Sequence, residues 1–309
     1  MATIPPPRTS YYCGRLAPSP TGYLHVGHAR TFWTASQRAR EAGGTLIMRI
    51  DDLDPDRSRA AYTEAALEDL RWLGIRWHEG PDKGGPFAPY FQSKRKALYL
   101  AAWRRLYRTG RIFPCRCSRK DLETALGAPH ERVGQAGGKL DALENEPIYP
   151  GTCRSLIAVP TQLPGRTTEE VQVPDGITWR FRVPDGEAVE FDDLNLGPQR
   201  FVAGIDFGDF VLWRRDGVPS YQLACVVDDA VMNITEVVRG ADLLKSTARQ
   251  ILLNRALGYK DPAWYHCRLV VDHNGRRLAK RHDALSLRSL RQRGFTPMNI
   301  LSADLPSDI

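Results

Sequence analysis

The sequence predicts an α/β protein built on a parallel sheet, and three observations carry that reading. Strand-like and helix-like segments alternate at both ends of the chain, the first three make a βαβ unit, and the helical stretches stop at glycines. With 42% hydrophobic and 26% charged residues over 309 positions, the composition is that of a soluble globular protein holding one large or two modest domains. No apolar run reaches the roughly 18 residues that cross a bilayer, so no membrane partner is expected.

Residues 1–10 are proline-rich without an apolar stretch, neither a signal peptide nor an anchor, and read as a flexible lead-in. Residues 11–17 make a buried strand and 18–22 a turn. A helix fits 27–41, with Val26, Ala29, Trp33 and Ser36 on one face at spacings of three and four. Gly43 and Gly44 end it, and 45–50 is the next strand. Further helices cover 59–73 and 94–109, stopped by Gly74 and Gly110. Residues 121–147 carry glycines, alanines and charges with no period and read as a mobile insertion. Order returns at 179–183. Residues 210–213 and 220–227 read as two strands around the turn Arg215-Asp216-Gly217. A strand over 234–238 and a helix over 242–257 stopped by Gly258 follow, and residues 266–271, the turn His273-Asn274-Gly275 and a basic segment complete the folded part.

The informative motif lies at the first strand-to-helix junction, Arg15-Leu16-Ala17-Pro18-Ser19-Pro20-Thr21-Gly22-Tyr23-Leu24-His25-Val26-Gly27-His28. A helix N-terminus offers unpaired N–H groups and partial positive charge to phosphates. Histidines three apart, His25 and His28, can face one phosphate chain across the first turn, and Gly27 lets an adenine ring lie against the backbone. Two surface histidines near a helix start would be the bland alternative; the strand before and the helix after favour the binding role.

Here the chain resembles a known family. The motif is similar to the ATP-binding signature of glutamyl- and glutaminyl-tRNA synthetases in its glutamyl form. Arg49-Ile50-Asp51-Asp52-Leu53-Asp54-Pro55-Asp56-Arg57 resembles that family's Arg-x-Glu-Asp-x-Asp-Pro-x-Arg, and Tyr221-Gln222-Leu223-Ala224, Val227-Asp228-Asp229 and Val238-Arg239-Gly240-Ala241-Asp242 look like its later segments. Arg277-Leu278-Ala279-Lys280-Arg281 is a degenerate form of its Lys-Met-Ser-Lys loop. The matches fall in order over nearly the whole chain. Only 28 residues follow Arg281, where a full glutamyl-tRNA synthetase continues into a helical anticodon-binding region. The resemblance therefore narrows to the truncated glutamyl-queuosine tRNA(Asp) synthetases.

That resemblance implies a Rossmann-type catalytic domain over 11–112 and 206–309, with an inserted zinc-binding segment over 113–205. It implies a monomeric, cytoplasmic ligase. Such a ligase would activate L-glutamate with ATP and Mg(2+) and pass it to queuosine in tRNA(Asp). Arg15 and Arg239 are suited to grip carboxylates bidentately, with Tyr221 and Ser19 contributing hydrogen bonds. Asp51 stands where the family supplies a carboxylate near the α-ammonium, one methylene shorter than the usual Glu. His25 and His28 would donate to phosphate oxygens and Lys280 would neutralise the departing pyrophosphate. Two alternatives stay open: a catalytic fragment charging the 3′ end of tRNA(Glu), and a glutamate- or RNA-binding regulator without catalysis.

Six cysteines in a chain this long do not make a disulfide framework and point to a reducing compartment. Cys115, Cys117 and Cys153 make a soft anionic set fit for structural zinc, and spacing offers Tyr149, His130 or water as the fourth ligand. The truncated relatives place a tyrosine four residues before the last cysteine, which implies Tyr149. Finally, residues 94–120 hold ten basic and no acidic residues, with Tyr99, Trp103, Tyr107 and Phe113 interleaved, in a chain of formal net charge +7. Such a stretch could track an RNA backbone and stack a base. Aromatics every four residues are equally the core stripe of a helix with a solvated basic face.

Overall fold

The computed structural model describes residues 11–118, 121, 148–155, 176–270 and 286–302. In chain order these give β1 (Cys13–Leu16), α1 (Val26–Glu41), β2 (Thr45–Met48), α2 (Ala60–Trp72), α3 (Lys96–Arg108), β3 (Ile112–Cys115), β4 (Thr178–Phe181), β5 (Ala188–Asp193), β6 (Gly197–Val202) and β7 (Phe210–Trp213). Then follow α4 (Tyr221–Val231), β8 (Glu236–Gly240), α5 (Leu244–Leu257), β9 (Ala263–Cys267), α6 (Leu287–Gln292) and α7 (Pro297–Leu301). Among the described residues no helix is long and apolar enough to cross a membrane.

The βαβ unit read from the sequence is present. β1 and β2 pair in parallel from Cys13 opposite Thr45 to Leu16 opposite Met48, with α1 as the crossover. A second unit, β8–α5–β9, also pairs in parallel, placing Arg239 opposite His266. The two units meet where the Thr235 N–H donates to the Cys13 carbonyl at 2.8 Å. All four residues of β1 and of β2 are buried, as expected of strands covered on both faces. α1 buries Val26, Ala29 and Ser36 as the period predicts, but it buries Phe32 where the sequence reading had Trp33, which is only half-covered. The core stripe continues through Ala35 and Ala39, so its axis runs through position 32.

One element corrects the sequence reading. Residues 220–227 are not a strand: Ser220 caps α4 by accepting the Leu223 N–H, and the helix runs to Val231. Every residue from Leu223 to Asp229 is buried, because α4 is wedged between α3, α5 and β7. A run apolar on all sides has no period to reveal it, and the short apolar run Leu223-Ala224-Cys225-Val226-Val227 looks the same as a buried strand. β3 and β4 form an antiparallel sheet with β7, which lies beyond 113–205, while the β5–β6 hairpin, unread in the sequence, joins the edge of β9 at Asp193 opposite Trp264. α5 ends at Gly258, whose φ of +62° suits a residue without a Cβ. The mobile insertion read at 121–147 lies outside the described residues except for Asp121.

Candidate active site

The ends of β1, β2 and β8 and the start of α1 open onto one cleft of about 390 Å³. Arg15, Ser19, His25, Gly27, His28, Asp51, Tyr221 and Arg239, which the motifs had singled out, all line it. They come from four segments that together span more than 200 residues of sequence, and those at strand ends meet because the carboxyl ends of parallel strands point the same way.

His25 is the N-cap of α1. Its Nδ1 accepts the Gly27 N–H at 3.1 Å, and the Nδ1 of His28 accepts the His25 N–H at 3.3 Å. Both δ nitrogens act as acceptors, which assigns the proton of each neutral ring to Nε2 and makes that nitrogen its donor. The rings stack with centroids 3.8 Å apart. A Cβ on Gly27 would come within 3.0 Å of the His25 ring, so this glycine makes room for the capping histidine itself.

Beneath the cleft lies a buried ion-pair network that the sequence did not reveal. Arg49, with no exposed surface, holds Asp51 through Nε at 2.7 Å and Nη2 at 3.2 Å, and Asp229 through Nη1 at 2.6 Å. Asp228 is held in turn by Arg95, Gln92 and Tyr99 at 2.7, 3.0 and 2.7 Å. Burial pushes the Asp51 carboxyl up to about 6, against the pull of Arg49. Arg15 donates from Nη1 to the Val238 carbonyl, and its buried Nε, 3.6 Å from Asp229, lacks a hydrogen-bond partner.

Arg239 is framed differently. Its Nε donates to His266 Nε2 at 3.2 Å, Nη1 to Gln250 at 2.9 Å, and Nη2 to the Thr247 hydroxyl at 2.6 Å; Tyr221 lies 3.5 Å from Nη1. Tyr221 is 38% exposed, so its ring faces the cleft mouth.

The family model for class I tRNA synthetases (E and Q), catalytic domain, matches residues 13–303. The glutamyl-Q tRNA(Asp) synthetase of Symbiobacterium thermophilum is 49% identical over 94% of the chain and 84% of that relative. Its counterpart in Nitratidesulfovibrio vulgaris is 47% identical over 93% and 83%. The chain belongs to the class I tRNA synthetases of the E and Q type, in the glutamyl-Q tRNA(Asp) group. Among solved structures, the glutamate-tRNA synthetase of Elizabethkingia anophelis superposes with a TM-score of 0.71 at 27% identity. That match covers 93% of the chain, which spans about half (54%) of that longer synthetase.

This class I chain carries a second constellation at the end of β3. The sulfurs of Cys115, Cys117 and Cys153 lie within 4.8 Å of one another, and none is in a disulfide. The Tyr149 hydroxyl is 3.5 Å from Cys115 Sγ and 3.8 Å from Cys117 Sγ, and it accepts the Cys153 N–H at 2.8 Å. Tetrahedral zinc with Zn–S bonds of about 2.3 Å needs sulfurs about 3.8 Å apart, so the set fits a metal. Burial opposes a thiolate at Cys153, yet hydrogen bonds from the Arg116 backbone and Tyr149 bring it down to about 7, while burial lifts Cys117 to about 11. Arg180 stacks on the Tyr149 ring at 4.0 Å. His130 and Lys280 lie outside the described residues.

In the basic segment the core-stripe reading holds for the aromatics. Tyr99, Trp103 and Phe113 are fully buried and Tyr107 stacks on Trp103, so three of the four cannot stack an RNA base. Arg95 is likewise buried, against Asp228, whereas Lys94, Lys96, Arg105, Arg108, Arg111 and Arg116 are exposed.

Proposed function

We propose that this chain activates L-glutamate with ATP and transfers it to the cyclopentene diol of queuosine in tRNA(Asp). The carrying observation is the single cleft in which two buried arginines, an acidic group and a histidine-capped helix meet, in a chain akin to glutamyl-Q tRNA(Asp) synthetases. An α-carboxylate oxygen of glutamate attacks the α-phosphorus of ATP, the bond to the β-phosphate breaks, and pyrophosphate leaves. A hydroxyl of the diol then attacks the carbonyl of the mixed anhydride and AMP departs, leaving an ester.

Arg15 and Arg239 grip substrate carboxylates, Asp51 faces the ammonium, and Ser19 and Tyr221 complete the pocket. The Nε2–H groups of His25 and His28 donate to phosphate oxygens where charge develops, and Gly27 gives the adenine an approach. Magnesium accompanies ATP, and Lys280 neutralises the leaving pyrophosphate. Zinc held by Cys115, Cys117, Cys153 and Tyr149 would brace the inserted segment 113–205 in a structural role, since four protein ligands would fill its coordination. The chain is proposed to act as a monomer in the cytoplasm.

The test incubates the protein with ATP, magnesium and labelled glutamate on queuosine-containing tRNA(Asp), then maps the label with nuclease. Label on the anticodon fragment is expected. Label confined to the terminal adenosine would promote the tRNA(Glu)-charging reading. Without glutamate-dependent exchange of pyrophosphate into ATP, the catalytic reading fails altogether.

A further inference from the structure

Arg239 is an unusual cation for this cleft. It is buried, 5% exposed, and every one of its hydrogen-bond partners is neutral: His266, Gln250, Thr247 and Tyr221. Among the described residues it makes no ion pair. Arg49, equally buried, has carboxylates on two sides at 2.6–2.7 Å. A guanidinium has five N–H groups. Three of Arg239's are committed at 3.2 Å or less and Tyr221 holds the second one of Nη1 only at 3.5 Å, which leaves one N–H of Nη2 uncommitted and one of Nη1 weakly held.

The nearest carboxylate in this chain of contacts stands one imidazole away. Asp193, at the end of β5, accepts the His266 Nδ1–H at 2.6 Å and the backbone N–H groups of Asn195 and Leu196 at 3.0 and 2.9 Å. With its proton on Nδ1, His266 presents a lone pair at Nε2, the form needed to accept from Arg239. Burial and the Arg239 charge drive the His266 pKa down to about 4, in keeping with a neutral ring.

We propose that Asp193 and His266 form a positioning relay that fixes Arg239 while withholding a counter-charge from it, making His266 a specificity-determining residue for the substrate carboxylate. Asp193 sets the tautomer, the tautomer aims Arg239, and the interposed neutral ring keeps Asp193 from pairing with the guanidinium directly. A buried cation without an anion is costly, and a ligand carboxylate relieves that cost where a carboxamide does not. The relay thus favours glutamate over glutamine. None of its members touches the reacting atoms.

The inference rests on the glutamate-activating function proposed above, and one set of assays separates the two. Pyrophosphate exchange is measured on the full chain with glutamate, with glutamine and with varied ATP. His266→Gln keeps an acceptor near Arg239 and His266→Glu puts a carboxylate there at the same size. The Glu variant should raise the KM for glutamate about tenfold and cut the glutamate-over-glutamine preference by a similar factor, as expected when a like charge enters a carboxylate site. The Gln variant should stay within about threefold of the parent, and the KM for ATP should hold within about twofold in both, as for a residue acting on one substrate only. Asp193→Asn, which can donate to Nδ1 and invert the tautomer, should also raise the glutamate KM; it serves as the test should the Glu variant fail to fold. Equal glutamate KM values for the Gln and Glu variants, or parallel rises for glutamate and ATP, would overturn the relay. So would an unchanged Asp193→Asn. A parent protein that exchanges with glutamate while the variants behave so would leave the function standing and remove only this inference.

Discussion

Arg49 has no exposed surface and bonds to Asp51 and Asp229, so its loss would strand two carboxylates away from water. Breaking a buried pair by removing one partner costs about 3–5 kcal/mol, far more than an exposed pair contributes, so Arg49→Met should destabilise the fold by about that much. Urea unfolding measures it, and a loss below about 1 kcal/mol would show that the carboxylates find other partners. The same residue shows what the sequence could and could not supply. Arg49, Asp51, Asp228 and Asp229 were all visible as motif letters, but nothing local says that one guanidinium bridges positions 180 residues apart. His266, Asp193, Thr247 and Gln250 carried no motif at all. A histidine inside a strand is the only hint, and it becomes legible once the register sets His266 beside Arg239.

At the scale of elements, segments with one buried face or a clear stop were readable: α1, α2, α3 and α5 fall within two or three residues of their expected bounds. α4 was not, because burial on all sides erases the period, and only the cap at Ser220 distinguishes it. The cysteine loop is the element whose stability is most exposed to test. Residues 148–155 are tied down by Tyr149 and Cys153 in the local core around Phe113 and Cys115 and by Arg154, which pairs with Asp185 and Asp209; a bound metal would add a further restraint at the cysteines. Purified protein should carry about one zinc per chain, as such a four-donor set holds a single ion. Cys153→Ser should lose it and raise hydrogen exchange around 148–155, while α1 and its cap keep the protection of the parent. Metal-free parent protein grown with ample zinc would defeat the assignment. A Tyr149→Phe protein that retained zinc would move the fourth position to His130 or water.

The whole molecule carries an excess of seven positive charges, and its distribution matters more than its size. Of the three arginines that line the cleft, Arg15 and Arg239 are buried and mostly committed and add little to long-range attraction, whereas Arg268 is exposed. The exposed cations Arg105 and Arg108 of α3 and Arg111 of the turn after it are free to meet phosphates, beside a helix whose other face is locked into the core by Tyr99, Trp103 and Leu106. If that face tracks the tRNA backbone, each contact releases counterions and contributes to the salt dependence of binding. Replacing the three arginines with alanine should therefore weaken tRNA affinity at low salt and flatten the slope of log K against log salt by about one unit for each contact removed, roughly two to three in all. Glutamate-dependent pyrophosphate exchange, which needs no RNA, should be unchanged, because none of the three lines the cleft. Binding titrations at several salt concentrations, run beside exchange assays, separate the outcomes. An unaltered slope would place the RNA on another face of the molecule, and a parallel loss of exchange would mean that α3 acts through the fold.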